Sequence, residues 1–203
     1  MGSLVILSGP SGSGKTSIAR EVCKRIGFDK TYFSISTTTR SPREGEQNGV
    51  DYFFVTKDEF LEDIANNQFL EWAEVHGNYY GTSLKQINEA LKNGKIVFLD
   101  IDVQGFESIN KIYPELITSV FITTPNKNIL IERLKNRGTE TEESLKIRLI
   151  NALKEMEKIN EYDYLLINDK FEESVELLES IAKISLIKSS KQNLENFIKE
   201  WNK

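Results

Sequence analysis

An apolar run, Leu4-Val5-Ile6-Leu7, passes directly into Gly9-Pro10-Ser11-Gly12-Ser13-Gly14-Lys15-Thr16, and nothing else in the 203-residue chain restricts its fold so tightly. Four apolar residues in a row predict a strand buried on both faces, as in a parallel sheet. Beyond the loop, Ile18, Ala19, Val22, Cys23 and Ile26 recur at helical spacing, and Gly27 offers a stop. A Gly-x4-Gly-Lys-Thr sequence between strand and helix predicts a phosphate-binding loop. Its glycines let backbone N–H groups converge on phosphate oxygens, and the helix N-terminus adds partial positive charge. Gly9, Ser11, Gly12, Ser13, Gly14, Lys15, Thr16 and Ser17 are thus the expected nucleotide-binding residues. Lys15 reaches the outer phosphates, and the Thr16 hydroxyl is a ligand for Mg²⁺.

Further strands are predicted at Tyr32 to Ile35, Ile96 to Asp100, Val120 to Thr123 and Tyr164 to Ile167, with helices between them. Alternating strands and helices give an α/β fold: a P-loop NTPase core with a central parallel five-stranded sheet and helices on both faces. Asp100, ending an apolar strand, suits a carboxylate that holds Mg²⁺ through water. Pro125 marks a helix start, and a long polar helical stretch follows, interrupted at Gly138. Residues 36–51 lose apolar periodicity and read as a polar loop. Thr56-Lys57-Asp58-Glu59 has capping-box spacing for a short helix among strand-like pieces. The expected organisation is a core of residues 1–35, 83–125 and 160–203, a small β-rich lobe at 36–82 and a lid at 126–159. The closing helix repeats Leu194, Phe197, Ile198 and Trp201, a face for its own core or for a second subunit.

Composition removes several function classes. A net charge of −5, with no basic stripe, speaks against a nucleic-acid partner. One histidine, His76, rules against a His-based metal site or a Ser/His/Asp triad. One cysteine, Cys23, permits no internal disulfide and fits a reducing compartment. No apolar run is long enough for a membrane span or a signal peptide, so the expected location is cytoplasmic.

Three further segments narrow the chemistry: Ser34-Ile35-Ser36-Thr37-Thr38-Thr39-Arg40-Ser41-Pro42-Arg43, then Glu71-Trp72 with Gly77-Asn78-Tyr79-Tyr80-Gly81-Thr82, then Leu99-Asp100-Ile101-Asp102-Val103-Gln104-Gly105. Together with the phosphate loop and Arg137-Gly138-Thr139-Glu140-Thr141, their order and spacing closely resemble guanylate kinase, from about residue 3 to 187. The resemblance implies Mg²⁺-dependent transfer of the ATP γ-phosphoryl to GMP or dGMP. It also implies that the 36–82 lobe binds GMP. Arg40 and Arg43 can fork on a dianionic phosphate. By resemblance, Tyr52 and Tyr80 are further phosphate ligands, and Glu71 accepts from guanine N1–H and the exocyclic amine. Ser36 and Thr82 then face the O6/N7 edge, while Gly81, Asp100 and Asp102 complete the GMP site. Arg133 and Arg137, one turn apart, resemble with Arg148 the lid arginines that offset charge on the transferring group. Asn168 resembles the segment beside the adenine of ATP. Lys15, Arg40, Arg133, Arg137 and Arg148 are accordingly the expected catalytic set. No general base is needed, because the second phosphate pKa is about 6.

Plainer readings stand beside these. Arg148 fits a solvated helix, Tyr52 and Tyr80 fit lobe packing, and Asn168 fits a strand-end turn. Thr139 to Glu142 has capping-box spacing of its own. Two rival functions are a kinase for another small acceptor, such as a phosphorylated sugar, and a peptide-binding module that has lost catalysis. Glu71 with Ser36 and Thr82 opposes the first, and the intact phosphate loop with Arg40, Arg43 and Arg137 opposes the second. The expected partners are ATP and GMP or dGMP, with no nucleic acid and no membrane, and the chain a monomer or weak homodimer.

Overall fold

A computed structural model of the chain describes residues 2–43, 45–75, 77–112, 117–136, 142–188 and 194–203. β1 (Ser3–Ser8), α1 (Lys15–Ile26) and β2 (Thr31–Phe33) open the core. β3 (Thr37–Thr38), β4 (Phe53–Phe54), α2 (Lys57–Ala65), β5 (Phe69–Val75) and β6 (Asn78–Ser83) follow. The core resumes with α3 (Leu84–Lys92), β7 (Ile96–Asp100), α4 (Val103–Ile112) and β8 (Ile117–Thr123). α5 (Lys127–Lys135), α6 (Glu142–Met156), β9 (Tyr164–Ile167), α7 (Phe171–Ser185) and α8 (Leu194–Trp201) complete the chain.

The five core strands pair in the order β2-β7-β1-β8-β9, every pair parallel. All six β1 residues and all seven β8 residues are buried, as befits strands covered on both faces. Side chains alternate across a strand, so Val5 and Leu7 pack with Ile18, Val22 and Cys23 of α1 and with Val175 and Leu178 of α7. Leu4 and Ile6 point the other way, into Ile87 and Ala90 of α3 and Phe106 and Ile109 of α4. Cys23 is a core residue, and burial raises its thiol pKa.

β8 begins earlier than the apolar run suggests, because buried Thr118 and Ser119 interrupt it. Ser119 is made tolerable there by Asp163, whose carboxylate accepts from its backbone N–H at 2.8 Å and its hydroxyl at 3.0 Å. Pro125 lies one residue before the helix cap. Asn126 is the cap, its side chain accepting from Asn128 and Ile129, and α5 starts at Lys127. The Thr56–Glu59 capping box is present with both reciprocal bonds.

A second sheet, of order β4-β3-β6-β5, is built wholly within residues 37–83. Its hydrophobic centre is Phe60 of α2, stacked on Phe69 at 4.2 Å between ring centres. α8 carries its apolar residues outward: Leu194, Phe197, Ile198 and Trp201 are all exposed. Among the described residues, no helix is long and apolar enough to cross a membrane.

Candidate active site

The parallel sheet fixes one end of the site. β1 ends in the phosphate loop, and the register pairs Leu7 with Asp100, so that carboxylate stands beside the loop. This is the carboxyl edge of the strands, where open α/β sheets bind ligands. Gly9, Gly12 and Gly14 all have positive φ. At Gly9 the chain passes so close to β8 that a Cβ would run into the Ile122 carbonyl oxygen. Gly14 caps α1 in the left-handed conformation without any side-chain cap, so the first N–H groups of the helix remain for a ligand. Ser11, Gly12, Gly14, Lys15, Thr16 and Ser17 line the resulting concavity.

Lys15 Nζ donates to the Gly9 carbonyl at 2.6 Å and the Pro10 carbonyl at 3.2 Å, and lies 4.0 Å from Asp100 Oδ1. The Thr16 hydroxyl donates to Asp100 Oδ2 at 2.6 Å. A single carboxylate thus serves both the cation and the hydroxyl of the loop.

Two helices brace this loop from outside. Arg148, on α6, donates to Ser11 Oγ at 2.7 Å. Arg133, on α5, donates to the Asn168 carbonyl at 3.0 Å and more weakly to the Ser13 carbonyl at 3.4 Å. Asn168 is buried just past β9 and acts as a hub. Its amide donates to the Ser13 carbonyl at 2.7 Å, and its side-chain oxygen accepts from Ser174 at 3.1 Å. Its backbone N–H donates to Thr123 at 2.7 Å. Arg137, Gly138, Thr139, Glu140 and Thr141 lie outside the described residues, as does His76.

The second sheet carries the remaining polar groups. Its β5–β6 register sets Glu71 opposite Thr82, after a register shift between Phe69 and Glu71, and the Thr82 hydroxyl donates to Glu71 Oε1 at 2.7 Å. Gly81 lies under the Phe69 ring, where a Cβ would collide. Tyr52 and Tyr80 meet edge-on at 6.2 Å between ring centres. The Arg40 guanidinium lies 5.4 Å from the Tyr52 ring centre and 5.8 Å from that of Phe54. Ser36 joins the sheet through its carbonyl, which accepts from Phe53 N–H at 3.0 Å. Asp102 Oδ1 accepts the Gly105 N–H at 2.8 Å, at the start of α4.

Two groups escaped the sequence. Glu46 receives Arg40 Nη2 on both carboxylate oxygens, at 2.8 and 2.9 Å, and the Arg43 backbone N–H at 2.7 Å. Hydrogen bonding to Arg40, and then to the Arg43 backbone, holds the Glu46 carboxyl below its ordinary pKa, and the same contact raises Arg40. Glu155, on α6, has one carboxylate oxygen buried with no hydrogen-bond partner. Burial raises its pKa; the Lys15 charge opposes the rise and the Asp102 charge adds to it. Tyr162 nearby is pushed up to about 12, chiefly by burial. No periodicity marks either carboxylate, so neither was legible.

A phosphate loop at the carboxyl edge of a parallel sheet, with a carboxylate at its lysine and arginines braced on its rim, defines a P-loop nucleotide-binding protein carrying a second, four-stranded sheet. The guanylate kinase family model matches residues 1–184. A guanylate kinase of Wolinella succinogenes is 50% identical over 200 residues, covering 98% of this chain and 92% of the relative. One of Helicobacter pylori is 51% identical over 198 residues, covering 98% and 95%. The crystal structure of guanylate kinase from Anaplasma phagocytophilum superposes with a TM-score of 0.73 at 30% identity, covering 98% of this chain and 94% of that one. The chain belongs to the guanylate kinase family, enzymes that phosphorylate GMP at the expense of ATP.

Proposed function

We propose that this chain transfers the γ-phosphoryl of ATP to GMP, and to dGMP, with Mg²⁺ held at Thr16 and Asp100. The observation that carries the acceptor assignment is the Glu71–Thr82 pair. The hydroxyl donates to one carboxylate oxygen from the neighbouring strand and fixes the carboxylate there, which can still accept from two adjacent donors of a base. Guanine presents such donors at N1 and its exocyclic amine; adenine does not and would leave the carboxylate poorly satisfied.

Residues 36–82 are on this reading the GMP lobe and 126–159 the lid, joined to a core of 1–35, 83–125 and 160–203. Gly9, Ser11, Gly12, Ser13, Gly14, Lys15, Thr16 and Ser17 hold the ATP phosphates, with Asn168 and Arg137 beside the nucleotide. Ser36, Glu71, Gly81, Thr82, Asp100 and Asp102 hold guanosine, and Arg40, Arg43, Tyr52 and Tyr80 its phosphate. A hydroxyl and a carboxylate at 2.6 Å are hard oxygen donors suited to Mg²⁺. Among the described residues no cluster of three acidic, Cys or His side chains forms a protein-only cage, so the fit is to an ion shared with phosphates. Bound there, Mg²⁺ would neutralise charge on the β- and γ-phosphate oxygens.

The chemistry asks for alignment rather than proton transfer. The GMP phosphate is largely dianionic at neutral pH and is already nucleophilic. Lys15 leaves the Gly9 and Pro10 carbonyls for the phosphoryl oxygens, and Arg133, Arg137 and Arg148 offset the charge that spreads in the transition state.

The test is ADP release measured by enzyme coupling with GMP, dGMP, AMP, UMP and CMP as acceptors. GMP and dGMP are expected to lead the other three by orders of magnitude; a preference for any non-guanine acceptor would overturn the assignment.

A further inference from the structure

Glu46 lies in the polar loop that carries Arg40 and Arg43, and it is bound more tightly than a loop carboxylate needs to be. Both its oxygens lie on Arg40 Nη2, and the Arg43 backbone N–H adds a third bond. Its own backbone N–H donates back to the Arg43 carbonyl at 3.1 Å, closing a turn. The pair is largely shielded, with side-chain exposures of 15% for Arg40 and 20% for Glu46. Arg40 is fixed on its other sides as well. Nη1 donates to the Ser41 carbonyl at 2.7 Å, two aromatic rings flank the guanidinium, and the Tyr80 hydroxyl is a further partner.

An arginine carries several χ angles, and most of its freedom is lost when it grips a ligand. A guanidinium already held by a carboxylate, a carbonyl and two rings meets that cost in the free protein. We infer that Glu46 is a positioning residue, which acts through Arg40 to aim the guanidinium at the acceptor phosphate. The inference rests on reading Arg40 as a ligand of that phosphate.

Charge alone predicts the opposite of positioning. Two guanidinium charges less one carboxylate leave a net +1 at the grip, and neutralising Glu46 would leave +2. Were Glu46 merely a competitor occupying the phosphate position, its loss would tighten GMP. If it positions Arg40, its loss weakens GMP although the site becomes more positive. The sign decides.

The experiment measures GMP affinity by calorimetry, the inhibition constant of guanosine, and KM for both nucleotides, in Glu46→Gln, Glu46→Ala, Arg40→Ala and the double variant Arg40→Ala/Glu46→Ala. Glu46→Ala is expected to weaken GMP roughly tenfold, the scale of one misdirected charge-assisted hydrogen bond. Glu46→Gln should weaken it less, while guanosine, which has no phosphate, and ATP stay within about twofold. In the Arg40→Ala background the Glu46 substitution should add under about twofold, because residues acting as a unit are not additive. Tighter GMP binding in Glu46→Gln would overturn the inference, as would equal losses for GMP and guanosine, or additive losses in the double variant. A wild-type GMP affinity in Arg40→Ala would instead remove the reading of Arg40 on which the inference stands.

Discussion

The Thr16 hydroxyl and the Asp100 carboxylate meet at 2.6 Å although 84 residues separate them in sequence. The meeting is set by strand register rather than by either residue: β1 and β7 run parallel with Leu7 beside Asp100, and α1 starts a few residues beyond. The same carboxylate lies 4.0 Å from Lys15 Nζ. Asp100→Asn is expected to lower kcat by roughly 10²–10³ and to raise the Mg²⁺ concentration needed for half-maximal rate. Lys15→Ala should cost at least as much. Circular dichroism should be unchanged in both, since neither side chain belongs to the core. Activity near wild type in Asp100→Asn at low Mg²⁺ would remove that residue from the site.

Glu71→Gln replaces one of two acceptor oxygens with an amide donor that faces the guanine donors. KM for GMP is expected to rise about 10²-fold, with KM for ATP within about twofold, because a mispaired polar group is what such sites discriminate against. Steady-state kinetics with each nucleotide varied in turn checks this; unchanged GMP kinetics would show that the carboxylate does not read the base.

Asn168→Ala leaves the buried Ser174 hydroxyl without its partner and the Ser13 carbonyl with only the longer Arg133 contact. The loss is expected to be about 1–3 kcal/mol, from stranded polar groups. Asn168→Asp should be worse than Asn168→Gln, since a carboxylate has nothing to donate to the Ser13 carbonyl. Thermal and urea unfolding of the three variants gives the order directly.

Glu155 predicts a pH dependence of stability. Its folded pKa is raised, first by burial and then by Asp102 against the pull of Lys15. The folded chain therefore binds this proton more strongly than the unfolded chain does. The associated stability is full below the ordinary carboxylate pKa and is lost as pH rises through the raised value. Glu155→Gln is expected to raise Tm by roughly 2 °C at pH 8, a figure held small by solvent screening of a half-buried group, and by less at pH 5. A Tm difference independent of pH would show that the charge is not the cause.

Much of the site was legible because its chemistry lies in contiguous backbone. Gly9 to Thr16 specify loop and helix together, and Thr56 with Glu59 specify a helix start that is present with both bonds. The burial of β1 on both faces followed from its unbroken apolar run, and the face of α1 from its periodicity. What stayed hidden depends on contacts between distant or irregular segments. Asn168 meets Ser13 across 155 positions. Glu46 stands six residues from Arg40 in a loop without period. Asp163, just ahead of β9, supports Ser119 inside β8, and the polar Thr118–Ser119 pair masked the true start of that strand. α4 is expected from the sequence only as an unplaced helix between two strands; its start is marked by Asp102, whose carboxylate accepts the Gly105 N–H.

β6 runs to Ser83 and α3 begins at Leu84, with no linker between strand and helix. Ile87 and Ala90, one and two turns on, are sunk in the core, and Leu84 N–H is tied to the Gln68 carbonyl at 2.8 Å. The other crossing, from Phe33 of β2 to Thr37 of β3, spans only three residues. A small sheet spliced to the core through an unbroken strand-to-helix run on one side and a three-residue span on the other, with Leu70 packed on the core cluster between them, has little slack at its seams. Arg40 and Glu71 are therefore both referenced to the core through the same short joints.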